Sequence, residues 1–232
     1  MLPRMKLVII SDVHGNLDAL QALPEDYDEL WMLGDLVNYG PQSREVVEEI
    51  RLRASLVVQG NHDHAVGHDD DSRWSARYRV LAETTRRHTS SLLDDGQKAY
   101  LRELPQHIKA EREGVRFHLT HATPSDPLYG RGAPDAWADE LHAVTADVLL
   151  VGHSHVPFLG QFGSQTVVNP GSIGQPRTGE ARASYAVWQD GTFTLRSFAY
   201  PVKDTVTKLH ALGFPTAVEE ELTTILRTGA VK

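Results

Sequence analysis

Five polar clusters in this chain of 232 residues could do chemistry: Asp12-Val13-His14, Gly34-Asp35, Gly60-Asn61-His62-Asp63, His121, and Gly152-His153-Ser154-His155. They offer imidazole nitrogen, carboxylate oxygen and one amide oxygen. The chain has twelve histidines and no cysteine, so a thiolate site and a disulfide are both excluded. Such a donor set suits Mn²⁺, Fe²⁺ or Zn²⁺ better than Mg²⁺, which prefers oxygen. Counted as Asp12, His14, Asp35, Asn61, His121, His153 and His155, the donors exceed what one tetrahedral ion takes. They suit two ions sharing a bridging carboxylate, the arrangement that clamps a phosphate and activates water. Each cluster alone has a plainer reading, since Asp-X-His can cap a helix and Gly-Asp can mark a turn.

The clusters gain weight from the elements that carry them. Lys6–Ile10 reads as a strand buried on both faces and ends at Asp12; Glu29–Leu33 ends at Asp35; Ser55–Val58 ends at Asn61. Asn16 is placed to cap one intervening helix and Ser43 another, the second carrying Val46, Val47 and Ile50. Strand and helix thus alternate, as βαβ units do, and ligand sites in such sheets lie beyond the carboxyl ends of the strands. His64–Ser72 reads as an exposed acidic loop. Helices are predicted over Trp74–Leu93 and Gln97–Leu104, then a hairpin of Ile108–Glu111 with Val115–Thr120, which ends at His121. A loop from Pro124 to Pro134 precedes a helix reaching about Val144, and the strand Val148–Val151 ends at His153. Two more hairpins follow, Phe158–Phe162 with Thr166–Asn169, and Ser184–Trp188 with Thr192–Phe198. The tail, Lys203–Leu226, reads as two helices broken at Gly213-Phe214-Pro215.

One domain is the default at this length, with residues 203–232 as a C-terminal helical extension. The formal net charge of -8 argues against a broad nucleic-acid surface. No run of 18 apolar residues suggests a membrane span, residues 1–5 read as a short lead-in, and a cysteine-free chain fits the cytoplasm. Asn38 and Tyr39 just beyond Asp35, Arg131 in the long loop, and Arg177 are candidate substrate contacts. Trp74, Trp137 and Trp188 read as packing residues.

In order and spacing these motifs resemble those of the calcineurin-like metallophosphoesterases, over residues 6 to about 198. The turn Asn169-Pro170-Gly171-Ser172 resembles the small bacterial phosphodiesterase branch. The resemblance implies a four-layer αββα sandwich: two mixed β-sheets with flanking helices and a dinuclear centre at the sheet ends. It implies one ion on Asp12, His14 and His155, a second on Asn61, His121 and His153, and Asp35 bridging them. His62 would then act on the phosphate, with Asp63 behind it orienting the ring. Manganese is the first expectation, with iron, zinc and nickel as alternatives. The activity implied is hydrolysis of phosphodiesters or monoesters of small molecules or nucleotides. A phosphoprotein phosphatase and a non-catalytic metal-binding scaffold are the competing readings.

Overall fold

The computed structural model describes residues 5–74, 76–132 and 137–231. Most of the predicted lead-in, Ser75 within one predicted helix, and the Pro134 end of the long loop lie outside them.

Two five-stranded mixed sheets pack face to face. The first has β1 (Leu7–Ile10), β2 (Glu29–Met32), β3 (Ala54–Val57), β9 (Ala183–Gln189) and β10 (Thr192–Phe198), in the order β10-β9-β1-β2-β3. The second has β4 (His107–Arg112), β5 (Val115–Thr120), β6 (Val148–Leu150), β7 (Phe158–Phe162) and β8 (Gln165–Asn169), in the order β4-β5-β6-β8-β7. In each sheet three neighbouring strands run parallel: β1, β2 and β3 in one, β5, β6 and β8 in the other.

Side-chain alternation builds the layers. Leu7, Ile9 and Trp31 point between the sheets and meet Phe117, Leu119, Val148, Leu150 and Trp188. Val8, Ile10, Leu30 and Met32 point the other way. They pack on α1 (Leu17–Gln21) and α2 (Ser43–Arg53) through Leu20, Val46, Val47 and Ile50. Fully burying a side chain of this size contributes about 1.5–3 kcal/mol. The outer face of the second sheet is covered by α6 (Trp137–Leu141) through Trp137 and Leu141. Helices therefore flank both sheets, as the four-layer expectation has it.

Three local predictions change. The segment after Asn61 is a helix, α3 (Asn61–His68), where the sequence predicts a loop from His64. Its polar run hides it, and its start is fixed by Asp63, which accepts from Gly60 N at 3.0 Å. Ser43 is the first residue of α2 and caps nothing; its hydroxyl accepts from Asn38 N at 3.2 Å. The predicted helix from Trp74 begins later, as α4 (Arg79–Leu92), followed by α5 (Asp95–Glu103). At the end of the chain α7 (Val202–His210) packs on α1 and on α8 (Thr216–Thr228), and α8 packs on α4, with Leu209, Val218 and Leu222 beside Tyr39 and Trp74.

Candidate metal centre and active site

The carboxyl ends of the parallel strands of both sheets deliver the candidate ligands to one place. β1 supplies Asp12 and His14, β2 Asp35, and β3 leads into Asn61 at the start of α3. β5 supplies His121, and β6 supplies His153 and His155. The turns that aim them are tight. Seven of the ten non-glycine residues with positive φ among those described are Asp12, His14, Asp35, Asn38, Tyr39, His153 and His155. Such strained backbone costs about 1–3 kcal/mol per residue and concentrates where function requires it. At Gly60 no side chain fits, since a Cβ would lie 2.1 Å from Asp35 Oδ1.

Two groups of donor atoms result: Asp12, His14, Asp35 and His155, and Asp35, His121 and His153, each within 4.8 Å. Asp35 belongs to both. Its Oδ2 lies 3.6 Å from His14 Nε2 and 3.4 Å from His121 Nε2. Its Oδ1 accepts from His62 N at the start of α3, at 2.8 Å. Asn61 joins the second group, with Oδ1 at 3.1 Å from both His121 Nε2 and His153 Nδ1.

Three of the imidazoles are fixed from behind. His14 Nδ1 donates to the Val37 carbonyl at 3.0 Å, His155 Nδ1 to the Gln175 carbonyl at 2.6 Å, and His121 Nδ1 to the Leu33 carbonyl at 2.7 Å. In His14 and His155 the neutral ring has a single proton, so Nε2 presents a bare lone pair to the centre. Asp12 Oδ1 is buried there, without a hydrogen bond among the described residues, 3.3 Å from His155 Nε2. Burial pushes His14 and His155 well below the usual histidine range, and His153 down to about 3. At His121 burial acts the same way, but the adjacent Asp35 outweighs it and lifts the ring to about 9. Buried lone pairs converging with carboxylates and one neutral amide oxygen are a donor set that divalent cations fit.

His62 is buried beside the centre, its ring edge-on to His14 at 5.0 Å between centroids and tilted against Trp74 at 5.4 Å. Asn38, not Asp63, orients it. Asn38 Nδ2 donates to His62 Nδ1 at 2.8 Å, which leaves the ring proton at Nε2. Asp63 instead accepts from the backbone N–H groups of Asp35, Leu36 and Gly60, at 2.8, 2.9 and 3.0 Å. It fixes the Asp35 turn rather than the His62 ring, because two strand ends point their free N–H groups at it. Asn38 is fully buried and does not line the cavity, contrary to its prediction as a substrate contact.

The cavity that opens on the centre has a volume of about 600 Å³. Asp35, Asn61, His62, His153 and His155 form its floor, and Tyr39, Arg131 and Arg177 line it as the sequence suggests. Aromatic rings contribute much of its other walls: Trp74, Tyr78, Tyr129, Trp137 and Phe158. Trp74 and Trp137 pack in apolar clusters as predicted and also line this cavity, and Tyr78 and Gln175 carried no sequence signal. Only their place in the fold reveals them.

Comparison with known proteins agrees with this geometry. The model of the calcineurin-like phosphoesterase superfamily domain matches residues 5–190. The chain belongs to that superfamily. It is a metallophosphoesterase, a hydrolase of phosphate esters. It is 30% identical over 190 residues to the phosphodiesterase YfcE of Escherichia coli, covering 79% of this chain and 86% of that one. It is 27% identical over 173 residues to a symmetrical bis(5'-nucleosyl)-tetraphosphatase of Pseudomonas syringae, over 61% and 59% of the two chains. A metallophosphoesterase structure from Sphaerobacter thermophilus superposes with a TM-score of 0.82 at 30% identity, over 96% of this chain and 99% of that one. Among the described residues no helix of this superfamily member is long and apolar enough to cross a membrane.

Proposed function

We propose that this metallophosphoesterase hydrolyses phosphodiesters or monoesters of small molecules, nucleotides among them, at a dinuclear centre. The observation that carries the reading is the pair of buried donor groups joined through Asp35, open to a cavity that His62 and Arg177 line. Asp12, His14 and His155 would hold one ion, and Asn61, His121 and His153 the other, with Asp35 between them. We expect manganese first, then iron, zinc or nickel. Bound there, a pair of divalent ions supplies charge neutralisation for the phosphate and a water of lowered pKa.

The protein's own groups do the rest. Asp35 is held by the α3 N-terminus, so its free oxygen is aimed before substrate arrives. His62, with its proton at Nε2, donates to the phosphate or to the leaving oxygen as the P–O bond breaks. The Arg177 guanidinium, whose buried Nε has no hydrogen-bond partner among the described residues, reaches the non-bridging oxygens. Water contributes the new P–O bond, and its proton balance closes on the leaving group. A cavity of drug-like volume with aromatic walls suits a small ester with a planar arm, and the nucleoside-acting relative points the same way. A phosphoprotein would want an open groove instead.

The test is turnover by the manganese-loaded enzyme of paired aryl mono- and diesters, a nucleotide panel and phosphopeptides. We expect hydrolysis of small esters that Asn61→Ala and His62→Ala abolish while folding is kept. Equal activity in both variants would sink the reading, and full metal occupancy with no turnover would favour a scaffold.

A further inference from the structure

The helices α7 and α8 lie beyond the region that the superfamily model matches, yet they touch the site at two points. One is the wall, where Leu209, Val218 and Leu222 back Tyr39 and Trp74. The other is the loop of residues 170–182 between β8 and β9, which carries Arg177.

The first half of that loop is tied to the metal centre. Ile173 N donates to Ser11 O and Gly174 N to Asp12 O, both at 3.0 Å, and the Gln175 carbonyl accepts from His155. After Arg177 the chain leaves the core, and residues 178–180 are exposed. Their tie to the rest of the fold is made by the end of α8: Gly179 N donates to Gly229 O at 2.9 Å. Gly229 closes α8 in the left-handed conformation, with φ 65°. It abuts the loop so closely that a Cβ would lie 2.2 Å from Glu180 O. Arg177 is thus suspended between two fixed points, Gln175 on the centre and Gly179 on the helix terminus. Among the described residues its guanidinium is steadied by a 3.3 Å bond from Nη2 to Gln175 Oε1 and by the Tyr78 ring at 5.8 Å.

We infer that the C-terminal helical hairpin is a working part of the active site, with Gly229 the positioning residue that holds the Arg177 loop at the height from which the guanidinium reaches a bound phosphate. The inference rests on the assignment of Arg177 to the phosphate made above. Physically, a charged side chain on an untethered loop must be ordered by each substrate it meets, and that ordering weakens binding. A backbone-to-backbone tie avoids this, and only glycine at 229 permits the approach.

The experiment compares Gly229→Val, and a chain ending at Arg227, with the parent protein and with Arg177→Ala, each loaded with manganese. The readouts are the dissociation constant of inorganic phosphate by calorimetry, KM and kcat for a small aryl ester, and the thermal midpoint. Arg177→Ala should weaken phosphate by about tenfold or more, the usual value of a charged hydrogen bond. Gly229→Val and the shortened chain should weaken phosphate severalfold and raise KM more than they lower kcat. Combined with Arg177→Ala, either change should add nothing. If either change weakens phosphate equally with and without Arg177, the hairpin is merely structural and the inference fails. If Arg177→Ala matters but neither hairpin variant does, the inference also fails while the Arg177 assignment stands. If Arg177→Ala leaves phosphate binding unchanged, the assignment itself falls and the inference with it.

Discussion

His14 and His155 face each other Nε2 to Nε2 at 3.1 Å, across 141 residues of sequence. Each donates its Nδ1–H to a backbone carbonyl, so two Nε2 lone pairs point at each other. A cation between them would resolve that conflict.

Metal should therefore stabilise the folded chain. Manganese in about hundredfold excess over its dissociation constant should add about 2.7 kcal/mol, read as a raised thermal midpoint. His155→Ala should lose much of the gain, and a chelator should reverse it in the parent. A midpoint indifferent to metal in the parent protein would contradict the assignment of these two residues as ligands.

The His62 imidazole and the Asn38 amide should act as a unit. His62→Ala should lower kcat by an amount equivalent to about 3–4 kcal/mol, as for a lost transition-state donor. Asn38→Ala should cost less, because the ring stays but loses its partner. In the double variant the two losses should not add. Additive losses would show that Asn38 acts elsewhere.

Asp63→Asn tests the turn at Asp35. An amide there would place an N–H donor opposite three backbone N–H groups that now donate to a carboxylate. The expected loss is about 1–3 kcal/mol in urea unfolding, with weakened metal binding because Asp35 moves. If metal affinity were untouched, the link from Asp63 to Asp35 would be refuted.

Acid should weaken the fold partly through His118. Burial, then the neighbouring His107 and Lys109, hold its folded-state pKa down to about 4. Above the unfolded pKa, near 6.5, both states are neutral and the group contributes no penalty. As pH falls from there towards 4 the unfolded chain takes a proton that the folded chain refuses, and stability is lost. Chemical denaturation of metal-free His118→Gln should accordingly lose less stability than the parent between pH 7 and 4.5. Parallel losses would show that His118 is not part of the acid response.

Periodicity carried the strands. The apolar run Leu7–Ile10 and the alternation of Val115, Phe117 and Leu119 each appear as a strand in place. The ligand clusters were legible for the same reason, because a buried strand that ends in Asp, His or Asn can only be followed by a polar turn. The α3 helix was not legible, since Asn61–His68 has no apolar stripe and is held by Asp63 reaching back to Gly60. Nor was the partner of His62. Adjacency in sequence favours Asp63, whereas the left-handed turn at Asn38 brings its amide to the ring from 24 residues away.

The sequence by itself determined the chemistry on offer: which donors exist, that none is a thiolate, and that each stands at a strand end. Tertiary structure alone decided which donors lie close enough to share an ion, which nitrogen of His14 and His155 is bare, and which rings wall the cavity. Those depend on backbone carbonyls and on contacts between the two sheets and the C-terminal helices. Distances of that kind are set by packing across the whole chain, and no local spacing encodes them.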